Sequence, residues 1–93
     1  NRLGLVLRDL SPELREQAGV PKGGVLVEEV KPGPAQQVGI RAGDVILSLD
    51  NQPVSDLRQF RGIVEGLMPG RSVALLVQRD GGRMFYALRI PKT

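Results

Sequence analysis

The chain has 93 residues, with 41% hydrophobic and 25% charged side chains and a formal charge of +3, and it contains no Cys, His or Trp. Without thiol or imidazole there is no disulfide, no ordinary structural zinc set and no Ser/His catalytic pair. The length suits one small domain, and no apolar run approaches the roughly 20 residues that a bilayer-spanning helix needs.

Leu3, Leu5 and Leu7 alternate with Gly4, Val6 and Arg8, the period of a strand that buries one face. Ser11-Pro12-Glu13, an N-cap oxygen followed by a ring of preset φ and an acid, predicts a short helix over 12–18 that Gly19 and Pro21 stop. Val25-Leu26-Val27 with Val30 is a β-branched run bounded by glycines, hence a buried strand. Pro32-Gly33-Pro34 opens one or two helical turns over 35–38, closed by Gly39, and the next strand runs from Val45 to Leu49.

Asp50-Asn51-Gln52-Pro53 is turn chemistry, after which Ser55 is expected to cap a helix over 56–67. Leu57, Phe60, Ile63, Val64 and Leu67 form an apolar stripe along it, interrupted only by the helix-weakening Gly62 and Gly66. Pro69-Gly70 ends the helix. Val73–Val77 and Met84–Ile90 read as two strands joined through Asp80-Gly81, a pair that tolerates positive φ in a two-residue hairpin turn. The sum is about five strands, one long helix and two short ones, without βαβ alternation. That argues an α+β domain with a mainly antiparallel curled sheet.

Ten of the thirteen cations are Arg, but they are spread along the chain and interleaved with ten acids. No basic stripe is present, and the reading is a mixed-charge surface rather than a nucleic-acid partner. The four serines (Ser11, Ser48, Ser55, Ser72) are accounted for as caps, strand or turn residues. Glu28-Glu29, the one adjacent acidic pair, is expected to point to opposite faces of a strand. No catalytic constellation remains, no cofactor or metal is implied, and the chain, opening Asn1-Arg2, reads as a piece of a longer polypeptide.

Leu3-Gly4-Leu5, Gly24-Val25-Leu26-Val27, Pro32-Gly33-Pro34-Ala35, the block Gly39-Ile40-Arg41-Ala42-Gly43-Asp44-Val45-Ile46 and Pro69-Gly70, in this order and spacing, resemble a PDZ domain over nearly the whole chain. With the Leu-Gly-Leu strand first and the strand ending at Ile90 last, the order is similar to the circularly permuted PDZ domains of bacterial HtrA/DegP-like serine proteases. Ser-Pro-Glu-Leu after the first strand, and Ile-Pro near the chain's end, resemble the second, C-terminal one.

The resemblance implies a PDZ-like partly open barrel, residues 1–93 as a single domain, and a periplasmic parent whose protease domain lies elsewhere. It implies capture of C-terminal or unfolded peptide segments with a hydrophobic last residue, added as a strand to a sheet edge. The implied site is the loop and edge strand Arg2, Leu3, Gly4, Leu5, Val6 and Leu7 facing Phe60, Ile63, Val64 and Leu67 of the long helix. Ile63 and Leu57 are expected nearer the core; Phe60, Val64 and Leu67 nearer the groove. Periodicity alone favours core for the whole stripe. Arg2 either reinforces an anion site or sits in solvent, and without His no ligand hydroxyl two residues upstream is selected as in one class of the family. The alternative is an assembly element that joins protease subunits without binding peptide.

Overall fold

The computed structural model describes residues 2–92. Six strands, β1 (Leu5–Asp9), β2 (Val25–Val30), β3 (Val45–Leu49), β4 (Gln52–Pro53), β5 (Ser72–Arg79) and β6 (Gly82–Arg89), form one sheet. Its order is β1-β2-β3-β5-β6, with β4 beside β3, and every pairing is antiparallel. Three helices are the other elements among the described residues, α1 (Pro12–Ala18), α2 (Pro34–Val38) and α3 (Leu57–Glu65). The expected α+β class and curled antiparallel sheet are observed, with six strands in place of about five. The extra one, β4, has two residues and is too short for any periodicity to reveal.

Local chemistry explains most boundaries. Ser11 Oγ accepts the Leu14 N–H at 3.1 Å, Pro12 occupies the first turn of α1, and Gly19 closes it in the left-handed conformation. Asp80 and Gly81 have φ of 50° and 79°, the doubly positive pair of a tight hairpin turn whose twist matches β5 and β6. The cap of α3 is Asp56, whose carboxylate accepts the Gln59 N–H at 2.8 Å, and not Ser55 as expected. Ser55 stands one residue outside the helix, where the Gln59 side chain returns to its N–H at 2.7 Å and to its hydroxyl.

Three further expectations are corrected. α3 stops at Glu65, so Gly66 is its C-cap and not an interior residue, while Gly62 does lie mid-helix. Ser72 begins β5 and is no turn residue. Glu28 and Glu29 are both exposed instead of facing opposite ways, because the pairing steps from Val6↔Glu29 to Leu7↔Val27 and leaves Glu28 unmatched. This bulge bends β2 against β1.

The core lies between the concave side of the sheet and α3. Leu3, Ile46, Leu49, Leu75, Leu88 and Phe60 are fully buried in it. A smaller cluster, Leu10, Val20 and Val45, holds α1 down, helped by the Gln78 amide donating to the Ala18 carbonyl. The block that carried the resemblance folds around Asp44, which is 2% exposed. Its carboxylate accepts the Arg41 N–H at 2.9 Å and forms a two-pronged pair with Arg79 at 2.8 and 2.6 Å. That bonding, outweighing desolvation, raises the Arg79 pKa above the ordinary arginine range. The Arg79 guanidinium therefore stays charged through neutrality and does not act as a switch there.

Candidate functional site

β1 is one edge of the sheet, and α3 runs over the end of the barrel beside it. The two are tied at both ends of the helix. At its start the Leu57 N–H donates to the Asp9 carboxylate at 2.7 Å. At its end the Arg2 guanidinium donates to the Val64 carbonyl at 2.6 Å and to the Leu67 carbonyl at 3.4 Å. The Asp9 tie satisfies a helix-terminal N–H that lacks an intrahelical partner, the Arg2 tie adds to the Leu67 N–H that the Val64 carbonyl already accepts, and each puts the charge that the helix dipole favours at that end. An open cavity of about 570 Å³ lies against the outer half of the helix, lined by Arg2, Phe60, Arg61, Val64 and Glu65. The volume falls within the usual range of small-ligand and side-chain pockets.

The loop before β1 is shaped by one glycine. Gly4 has φ of +80°, and a Cβ there would lie 2.9 Å from the Lys31 carbonyl oxygen, a backbone atom with nowhere to go. That proximity is used, because the Gly4 carbonyl accepts the Lys31 N–H at 2.8 Å and the Leu3 carbonyl accepts the Ala35 N–H at 3.3 Å. The loop is therefore held between β2 and α2, with its backbone at the Arg2 end of the cavity.

The residues expected at a site are brought together here, with a division the periodicity did not foresee. Arg2, Phe60 and Val64 line the cavity. Leu3, Leu5, Ile63 and Leu67 are buried in the core, and Val6 and Leu7 are half-buried along the strand. Phe60, expected nearer the groove than the core, is 0% exposed and belongs to the core even though its ring forms part of the cavity wall. Arg2, considered above as reinforcing an anion site or sitting in solvent, is exposed and also bonds the Val64 and Leu67 carbonyls at the C-terminal end of α3.

Arg61 and Glu65, which are not among the expected site residues, also line the cavity. Asp9 was missed. An acid at the end of an edge strand is unremarkable in sequence, and its partner lies 48 residues away. Among the described residues no group of side chains is arranged to hold a metal ion, and no helix is long and apolar enough to cross a membrane.

Comparison with known proteins places this geometry. The PDZ domain family profile matches residues 2–85. A probable periplasmic serine endoprotease DegP-like from Pseudomonas putida (strain W619) is 40% identical over 90 residues, covering 97% of this chain and 19% of that protein. One of the same description from Hahella chejuensis is 42% identical with the same coverage. The chain thus spans about a fifth of the length of these relatives.

Among solved structures, the HtrA-type protease AlgW with a decapeptide superimposes with a TM-score of 0.83 at 34% identity, over 96% of this chain and 28% of that one. The HtrA3 PDZ domain bound to a phage-derived ligand, FGRWV, gives a TM-score of 0.79 at 27% identity, over 94% and 81% of the two chains.

Proposed function

Because the chain belongs to the PDZ domain family, we propose that residues 1–93 act as one peptide-binding module, which takes up the C-terminal tail of another protein as an added strand on β1. The observation that carries this reading is an edge strand with a helix tied across from it at both ends, leaving a mainly apolar cavity at the Arg2 end. The tail pairs with β1, its last side chain enters the cavity against Phe60 and Val64, and its carboxylate lies at the Leu3-Gly4-Leu5 backbone. The solved relatives bound to a decapeptide and to FGRWV support peptide capture. The names of the curated relatives support a periplasmic serine endopeptidase as the parent, and recruitment or regulation by this module is part of the proposal.

Titration with labelled peptides ending in Phe, Val or Leu, each with a free or an amidated C-terminus, tests this. Free-acid peptides are expected to bind in the micromolar range, since a short added strand buries well under the roughly 1,200 Å² of a stable interface, and amidated ones at least about tenfold more weakly. Equal binding of the two forms, or none, overturns the carboxylate groove and leaves subunit assembly as the better account.

A further inference from the structure

The convex side of the sheet carries a second cavity, slightly larger than the first at about 630 Å³. Its floor is set by register. Pro53 pairs with Ser48, Ser48 with Leu76 and Leu76 with Phe85, so the four side chains form one row on one face across β4, β3, β5 and β6. Pro53, Ser48 and Leu76 line the cavity together with Leu47, and Pro21 and Val20 close it from the segment that follows α1. Phe85 continues the row outward and is 69% exposed, the most exposed of the large hydrophobic side chains among the described residues. Leaving such a side chain in water forgoes the stabilisation that its burial would bring.

The charge at this cavity has one sign. Lys22 and Arg83 are its charged lining residues, and no carboxylate lines it. Among the described residues neither makes an ion pair, the two pairs present being Arg8 with Glu28 and Arg79 with Asp44. Arg83 lies two residues from Phe85 and therefore on the same face. An apolar trough continuous with an exposed ring and edged only by unpaired cations is complementary to a segment with the opposite pattern, carboxylates beside an apolar side chain. A second copy of this chain is a poor occupant, because a two-fold contact through this face sets the same cations against each other.

We infer that this convex face is a second docking surface, for an internal acidic segment of a partner polypeptide that lays an aliphatic or aromatic side chain between Pro21, Leu76 and Phe85 and its carboxylates on Lys22 and Arg83. The segment needs no free C-terminus, which separates this surface chemically from the groove beside β1.

The test uses the intact chain, ¹⁵N-labelled, and peptides blocked by N-acetyl and C-amide groups so that no terminal carboxylate is present: a set with Leu, Phe or Trp between flanking Asp residues, and the same set with Lys in place of Asp. The acidic set is expected to shift the amide resonances of Lys22, Leu47, Leu76, Arg83 and Phe85 while leaving Gly4 and Val64 unmoved. Arg83→Glu is expected to weaken the acidic peptides about tenfold, and Lys22→Glu combined with Arg83→Glu to reverse the preference toward the lysine set. Because these side chains are at the surface, unchanged resonances elsewhere confirm the fold of each variant.

Failure of every acidic peptide to bind below about 1 mM, indifference to the sign of the flanking charge, or shifts confined to α3 would each overturn the inference. So would resonances of this face that move with protein concentration alone, which would make the occupant a second copy. None of these results touches the free-carboxylate experiment, whose readout is the difference between acid and amide termini.

Discussion

At one edge of the sheet, β1 runs beside a helix bracketed to it by Asp9 and Arg2; at the other, β6 runs for eight residues with Arg83 and Arg89 on the same face as Phe85. Both edges offer a row of backbone donors and acceptors, the usual template for another strand. β1 faces α3, which charged hydrogen bonds to Asp9 and from Arg2 tie at its two ends. β6 is guarded instead. A second copy pairing antiparallel about Tyr86 would set Arg83 opposite Arg89 at both ends, and like charges directly opposed disfavour the pairing. On the proposed reading, an open edge becomes specific through what is held opposite it, and safe through the charges it carries.

That contrast can be broken most severely at the wall. Phe60→Ala removes a fully buried ring from α3 and is expected to cost about 3–5 kcal/mol in urea unfolding, abolishing peptide binding with the fold. A loss below about 1 kcal/mol would show that the ring is not part of the core.

Cutting the brackets has a smaller effect. Arg2→Met and Asp9→Ala are each expected to destabilise by about 1 kcal/mol and to speed dissociation of a free-acid peptide, the helix being released at one end. Unchanged dissociation from both variants would mean that the spacing is set by packing alone. Gly62→Ala sharpens the comparison most finely. Nothing lies within 4 Å of the added methyl group, so the variant is expected to gain up to about 1 kcal/mol with unaltered peptide affinity. If affinity falls instead, α3 must bend to admit its ligand.

Much of the architecture was legible because prolines, glycines and caps punctuate it. Ser11-Pro12, Gly39 and Asp80-Gly81 each leave a local signature, and the elements they bound appear where expected. Errors arose where two readings share one local chemistry. Ser55 and Asp56 are both good caps, and only the reach of Gln59 decides between them. The stripe on α3 was visible, but a period of 3.6 cannot say which member turns fully inward, and Phe60 did.

The brackets were illegible for a different reason. Arg2 with Val64, Asp9 with Leu57 and Asp44 with Arg79 join positions 62, 48 and 35 residues apart, and in a chain rich in Arg no local pattern marks a charged side chain that has a distant partner. The block around Asp44 was conspicuous as a resemblance, yet its physical purpose, a buried carboxylate holding Arg79 and the Arg41 turn, emerged only from the fold.

The two brackets on α3 also bear on the order of assembly. The β5–β6 hairpin closes through a two-residue turn and needs little loop entropy, whereas the contacts that set the groove join the first nine residues to a helix beginning at Leu57. A nascent or partly unfolded chain can therefore hold its hairpin and still have no groove. On the peptide-binding reading proposed above, recognition depends on these long-range contacts and is lost when they open, even where the hairpin persists.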